Sequence, residues 1–256
     1  MDWKTTYAPY LSWKKEAPLG GEGVLVGSDL TQEWILPWWW SRYSKHNAYP
    51  VTFIDMGLSP EMKSWCLEHG SVIHLPIADP FIASQEEVDP ALATLWENQS
   101  GRSFWNIRSA WFKKPIACLQ TPYERSLWLD LDCEVKAPLD TLFSLCHHPS
   151  RLALSLDMSS QTIYNSGVIA FQYGCQIIEE WAHLVFEQSH LFAGDQDILS
   201  ALILEKKLTI SKIPPHYNWS RCYTDNPHAA VLHWHGATGK TVIAHQLQKE
   251  NLDKNF

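Results

Sequence analysis

Short, continuous apolar runs closed by glycine or a polar turn alternate with segments of helical period along the first third of the chain. "VLVG" (24–27) reads as a first strand running into the polar turn Ser28-Asp29, and a helix is expected from about Thr31, with Pro37 kinking it or opening its main part. "YPVTFIDMG" reads as a second strand with a glycine stop. "SPEMKSWCLEHG" follows as a helix with Ser59 as N-cap, Pro60 in the first turn and Gly70 beyond its end. "SVIHLPI" is a third strand. This β-α-β-α-β order predicts a parallel sheet covered by helices.

The pattern then loosens. Residues 78–103 carry Pro80, Pro90 and Gly101 and predict a long excursion holding one short helix; long connections inside compact domains are often functional. Helical spacing returns over 104–123 with a break expected near Pro115, and leads into the apolar run "WLDLDCEV". A short helix "APLDTLFSL" comes next, followed by two strands, "RLALSLD" and "NSGVIAFQ", the second opened by an Asn-Ser-Gly turn. "CQIIEEWAHLVFEQSH" is an amphipathic helix, and "GDQDILSALILEKK" begins another at an acidic N-terminus. "LTISKIP" and "VLHWHG" are late strands, and the polar tail beyond Val242 is expected to be partly disordered. The fold class is α/β: one Rossmann-like mixed sheet, mostly parallel and flanked by helices, in a single domain over 1–256 with a core over about 24–240.

Composition narrows the function. With 45% hydrophobic and 19% charged residues, the 256-residue chain is neither disordered nor fibrous. Its formal charge of −8 argues against a nucleic-acid partner, which would need a basic face to neutralise phosphates. No stretch reaches the apolar length of a transmembrane segment and the N-terminus lacks a signal-peptide core, so a cytoplasmic location is expected. The six cysteines are scattered without a C-x-x-C pair and read as reduced, mostly buried thiols. Fourteen tryptophans, three of them at 38–40, offer aromatic faces that stack on sugar rings or fill a core.

The chemistry concentrates where "WLDLDCEV" ends. In a regular strand Asp130 and Asp132 project to one side, and two like charges held that close call for something positive between them. Ligands of open α/β sheets bind outside the carboxyl ends of strands, where a divalent cation between two carboxylates can hold a diphosphate. Three further motifs add to the pair: "NSG" at 165–167, "GDQD" at 194–197, and "HWHG" followed by Gly239-Lys240.

In these motifs, from about Val24 to Lys240, the chain resembles the nucleotide-sugar glycosyltransferases of the GT-A fold, most closely family 8 with its glycogenin-like and bacterial galactosyltransferase members. The resemblance implies transfer of a hexose from a UDP-sugar donor to an acceptor hydroxyl of unknown class, with retention of configuration. It implies Mn²⁺, or Mg²⁺, held by Asp130, Asp132 and His233 of an H-x-x-G ending at Gly236; His235 competes for the imidazole place. Asn165 and Gly167 would touch the donor, Asp195 and Gln196 would lie beside the anomeric carbon, and Lys240 would contact the diphosphate, although Gly239 shifts its spacing by one residue. Ser28 and Asp29 would grip uracil and ribose, Arg108 would stand near the donor, and Asp157 would bind sugar hydroxyls. The segment 78–103, the tryptophans at 38–40 and the C-terminal region are candidate acceptor surfaces.

Each residue also has a plainer reading. Asp195 and Asp197 can simply cap a helix, Asn165-Gly167 can be only a turn, and Arg108 can be a solvated helix residue. Two other functions compete. A haloacid-dehalogenase-type phosphohydrolase also places D-x-D after an apolar strand, but Glu134 stands where its motif wants Thr or Val. A non-catalytic carbohydrate-binding module is suggested by the tryptophans, and predicts sugar binding that survives chelation.

Overall fold

The computed structural model describes residues 20–250 apart from 76, 78–80, 102, 159, 161 and 162. The first nineteen residues, with Trp13, and the end of the tail, 251–256, lie outside the described residues.

In chain order the elements are β1 (Glu22–Ser28), α1 (Leu36–Tyr43), β2 (Val51–Asp55), α2 (Pro60–His69), β3 (Ser71–His74), α3 (Pro90–Ser100), α4 (Phe104–Leu119), β4 (Arg125–Leu129) and β5 (Cys133–Val135). Then come α5 (Asp140–Ser144), β6 (Leu152–Leu156), β7 (Tyr164–Gln172), α6 (Gln176–Gln188), α7 (Asp195–Glu205), β8 (Ser211–Lys212), β9 (Trp219–Ser220), β10 (Val231–His233) and α8 (Gly236–Glu250). Seven strands form one sheet in the order β3-β2-β1-β4-β7-β6-β8, and β5-β10-β9 form a second. In the large sheet the antiparallel pairings are those of β7 with β4 and with β6; the others are parallel. This is the mostly parallel α/β sheet read from the sequence.

Strand β1 shows why apolar runs became central strands. Val24, Leu25 and Val26 are all buried, with Val24 and Val26 packing into one core and Leu25 into the other, so the sheet is covered on both faces. Helices α1, α2, α5 and α8 close one face; α4, α6 and α7 close the other. Helix α2 starts where expected: the Ser59 hydroxyl accepts from the Met62 N–H at 3.1 Å and Pro60 occupies the first turn.

Four expectations are corrected. Helix α4 runs unbroken through Pro115, because its second half, from Phe112 to Leu119, is buried and that packing outweighs the roughly 3 kcal/mol cost of an internal proline. The polar tail is helical as far as Glu250: Gly239, Ile243 and Leu247, four apart, form a buried stripe, Gln246 accepts from the Trp38 indole at 2.8 Å, and Glu250 pairs with Arg42. Trp38 and Trp39 fill the core, Trp39 stacking on Tyr43 with centroids 4.9 Å apart, so they are not an acceptor surface. The Asn-Ser-Gly segment is a strand rather than a turn, lying inside β7 beside a register shift at Leu154/Ser155.

At the carboxyl end of β2, Asp55 anchors the turn leading into α2. It accepts from the N–H groups of Gly57 (2.9 Å) and Leu58 (2.8 Å), from Lys63 (3.0 Å) and from His74 (3.1 Å). Burial alone would raise its pKa; the hydrogen bonds of Leu58, Gly57, Lys63 and His74 prevail and lower it to about 2. Asp55→Asn is expected to cost about 1–3 kcal/mol of unfolding free energy at pH 7 in urea denaturation. A depressed carboxylate stabilises above its unfolded pKa near 3.9, so the gap between the two proteins should close as pH falls from about 4 to about 2.

Candidate active site

The carboxyl ends of β1, β2 and β4, with α4 alongside, enclose a cleft lined by Ser28, Asp29, Trp111, Lys114, Asp130, Asp132 and Lys240 among others. It lies where open α/β sheets bind ligands. Strand β4 ends at Leu129, so the two aspartates sit in the turn between β4 and β5 and not in regular strand. That turn separates them. Asp130 points both oxygens at Lys114 Nζ (2.9 and 3.1 Å) and accepts from the Trp128 indole at 2.7 Å. Asp132 instead faces His233 Nε2 at 3.2 Å and Lys240 Nζ at 3.8 Å. Each carboxylate therefore has its own lysine, in place of the shared positive charge that strand alternation suggested.

Lys114 is buried yet ionised. Burial would lower its pKa, but Asp130 and Asp195 outweigh it and hold the value above the ordinary lysine range. It also donates to the Ser166 carbonyl (3.1 Å) and hydroxyl (2.9 Å), and stands 3.4 Å from Asp195. Asp195, in the first turn of α7, accepts from Ser166 Oγ at 2.8 Å. Burial pushes its pKa up and Asp130 adds to the rise, with Lys114 and Ser166 opposing it. Gln196 follows it, half-buried.

The tautomer of His233 can be read from the network behind it. Asn165 Oδ1 accepts from the Gly167 N–H at 2.9 Å, which fixes that atom as oxygen. The Asn218 atom 2.8 Å from it must then be the amide nitrogen, which also reaches Ser155 Oγ at 2.8 Å. Asn218 Oδ1 is left facing His233 Nδ1 at 3.0 Å, so Nδ1 donates there and Nε2 is the ring atom turned toward Asp132. Nε2 lies 3.2 Å from a carboxylate oxygen of Asp132, which sets an imidazole nitrogen and a carboxylate side by side at the rim of the cleft.

The donor set fits a hard divalent ion. Burial would raise the pKa of Asp132, yet His233 and Lys240 keep its carboxyl below the usual range and therefore ionised. Among the described residues, Asp132, Cys133 and His233 bring possible ligand atoms within 4.8 Å of one another. Cys133 is the misfit: burial pushes its thiol far up, and it donates to the Gly167 carbonyl at 3.6 Å. Carboxylate and imidazole remain, donors that can serve a divalent metal ion.

Two glycines are required by close approach. A Cβ on Gly167 would lie 2.2 Å from His233 Cε1 and drive the ring off its place. On Gly239 it would lie 1.5 Å from the Trp234 carbonyl oxygen; that contact seats α8 so that Lys240, one residue on, reaches Asp132.

The remaining candidates separate. Ser28 and Asp29 line the cleft, but Asp29 is occupied as a cap, accepting from Thr31 N–H (2.9 Å), Thr31 hydroxyl (2.7 Å) and Gln32 N–H (3.1 Å). His235 bonds Ser220 Oγ at 2.6 Å, and burial, with His233 and Arg221 nearby, lowers its pKa, leaving His233 as the group on Asp132. Asp157 follows β6 and influences His235; it is not among the cleft-lining residues, nor is Asn165. Gly236 opens α8 with φ of +79°. Arg108 is corrected: it is 1% exposed, donates to the carbonyls of Ala83, Ser189, Phe192 and Ala193, and lies among the rings of Trp96, Trp105 and Phe112. Its groups tie α4 to the loop before α7 and do not reach the cleft.

Lys114, Trp111, Ser166 and Asn218 were not among the sequence candidates. Lys114 carried a readable signal, since Ile107, Trp111 and Lys114 share one helix face by their spacing and all line the cleft. Asn218 carried none; a two-residue strand and a loop put it behind His233. With His233 as a metal ligand, Asn218→Ala is expected to weaken Mn²⁺ affinity by about 10–100-fold, the usual cost of removing a group that orients such a histidine. Isothermal titration with Mn²⁺, alongside far-UV circular dichroism, checks it.

Sheet order, crossover pattern and site position together define the GT-A fold of nucleotide-sugar glycosyltransferases. Solved structures with this architecture include the glycosyltransferase GlyE of Streptococcus pneumoniae TIGR4, 17% identical with a TM-score of 0.58 over 90% of this chain and 64% of that one. The galactosyltransferase LgtC, solved with donor and acceptor sugar analogs, is 14% identical with a TM-score of 0.56 over 88% of this chain and 96% of that one. Mouse xyloside xylosyltransferase 1 is 13% identical with a TM-score of 0.55, over 83% and 97% of the two chains. The chain thus spans just under two thirds of the pneumococcal protein's length. No protein-family model matches the chain, and a search of curated protein sequences finds no match. Among the described residues, no helix is long and apolar enough to cross a membrane.

Proposed function

We propose that the chain is a metal-dependent glycosyltransferase that moves a hexose from a UDP-sugar to an acceptor hydroxyl with retention of configuration. The observation that carries the reading is Asp132 and His233, far apart in sequence, meeting at the carboxyl ends of the strands with His233 Nε2 3.2 Å from the carboxylate and Nδ1 held by Asn218. Asp132 and His233 would hold Mn²⁺ or Mg²⁺, with Asp130 as the further ligand once its carboxylate turns from Lys114. A divalent cation there supplies Lewis-acid neutralisation of the diphosphate as its oxygens gain charge.

The chain's own groups do the rest. Ser28 and the carboxyl end of β1 bound the nucleoside end of the cleft, and Asp29 shapes that turn through its capping bonds. Lys240, in the second turn of α8, donates to the diphosphate and adds positive charge where the leaving group builds negative charge. Gly167 leaves room for the imidazole, and Asn165 acts through Asn218 to hold it. Asp195 and Gln196, opening α7, orient the sugar, with Asp157 on its outer side. Asp195 is tied to Ser166 and Lys114, which suits orientation and not covalent attack. The likeness to LgtC, solved with donor and acceptor sugar analogs, supports a two-substrate cleft.

Calorimetric titration with UDP tests the reading. Binding is expected with Mn²⁺ present and is expected to vanish with EDTA and return on adding Mn²⁺. Equal affinity with and without metal would reject it.

A further inference from the structure

The small sheet carries two different surfaces. Opposed residues share a face, so the pairs His233↔Cys133 and His233↔Ser220 set Cys133, His233 and Ser220 on the inner face, while Leu232↔Glu134 and Leu232↔Trp219 set Glu134, Leu232 and Trp219 on the outer one. Burial agrees: Cys133 and His233 are buried, whereas Glu134, Leu232 and Trp219 are part-exposed. The inner face holds the candidate metal ligand. The outer face, with the loop that follows β9, bounds a groove of about 260 Å³ lined by Trp219, Tyr223, Trp234, Lys136, Asp225 and Asn226 among others.

Its chemistry is specific in kind. Both indole N–H groups are spent inside the protein, Trp219 on the Thr224 carbonyl at 3.0 Å and Trp234 on Glu134 at 2.9 Å. The rings are thereby held at their polar edges, and carbon surface is what they can offer a ligand. Around them stand an ammonium, a carboxylate and an amide. The lining carries the cations Lys136 and Arg221 against the carboxylate of Asp225, with Arg221 Nε spent on the His235 carbonyl at 2.7 Å, so the groove lacks the cluster of basic groups that a phosphate or a polyanion calls for. A pyranose matches this lining: apolar C–H faces for the rings, hydroxyls at its rim for the polar groups.

We propose that this groove is a sugar-binding subsite that anchors a neutral oligosaccharide, a remote part of the acceptor, on the opposite face of β10 from the transfer site. The choice of ligand rests on the glycosyltransferase reading. Backbone bonds join the two surfaces: Trp234 N–H donates to the Asp132 carbonyl at 2.9 Å, and Arg221 N–H to the His233 carbonyl at 3.1 Å. An anchored glycan would thus sit one strand away from the metal ligands.

Maltotriose, lactose and N,N′-diacetylchitobiose serve as probes in tryptophan-fluorescence and saturation-transfer NMR titrations of the full chain in EDTA. At least one is expected to bind with a dissociation constant of about a millimolar or tighter. Tyr223→Ala, at an exposed ring that the fold does not need, and Trp219→Ala should each weaken that probe about 10-fold while leaving UDP affinity in Mn²⁺ unchanged. Saturation by none of the three, binding indifferent to both substitutions, or binding lost in Asp132→Asn would overturn the proposal. Loss of the donor reading shows separately, as failure of UDP to bind with Mn²⁺.

Discussion

Under the proposed function, Asp132→Asn is expected to abolish Mn²⁺-dependent UDP binding and to lower sugar-transfer turnover by about 10²–10³-fold, the range lost when one charge-stabilising group leaves a preorganised site. The side chain keeps its volume, so packing is preserved and the loss is one of charge. In the native protein the carboxylate faces His233 Nε2 at 3.2 Å and stands 3.8 Å from Lys240. An amide can still hydrogen-bond the imidazole, but it carries no negative charge to attract a cation. Hydrolysis of a panel of UDP-sugars in Mn²⁺, measured without acceptor, reads the effect together with calorimetry. Turnover and UDP affinity within about threefold of the native protein would dissociate this aspartate from the chemistry.

The same pair shows what the sequence could and could not reveal. An apolar run ending in D-x-D marks a strand end facing a ligand site, and the chain does place both aspartates in the cleft lining. Side-chain alternation, however, holds only while the backbone stays extended, and β4 stops at Leu129. The turn that follows sends one carboxylate to α4 and the other to β10. Central strands were legible because their residues are buried on both faces, which leaves uninterrupted Val, Leu and Ile runs. The small sheet was less so: β5 and β10 have three residues each and β9 has two, too few for a period to register.

Arginine and tryptophan misled for one reason. Both are amphipathic, and their type alone does not tell a ligand contact from a core contact. Arg108 was placed near the donor by resemblance and would otherwise read as a solvated helix residue, yet the loops at Ala83 and 189–193 close over it and supply carbonyls. Burial lowers its pKa to about 10, still far above neutrality, so it remains a cation held by carbonyl oxygens and ring faces. The C-terminal helix was hidden differently. Its surface is polar, and its stripe of Gly239, Ile243 and Leu247 is too sparse to stand out in a tail that begins just after the H-x-x-G.

Lys114→Met should produce the largest loss of stability of any single change in the cleft, about 3–5 kcal/mol at pH 7 by chemical denaturation, the cost of leaving a buried charge without its partner. The lysine is 5% exposed and serves both Asp130 and Asp195, which would then face each other with the Trp128 indole and the Ser166 hydroxyl as their side-chain donors among the described residues. The defect has a pH signature. Burial already holds the Asp195 pKa above its ordinary value with the lysine present, and removing the cation raises it further. A carboxyl whose folded-state pKa exceeds its unfolded value binds more protons in the native state, so unfolding free energy falls as pH rises through that value. The variant should therefore regain stability relative to the native protein as pH is lowered from about 7 toward 5. A loss below about 1 kcal/mol, or one equal at both pH values, would mean that the lysine fills space without balancing the two carboxylates.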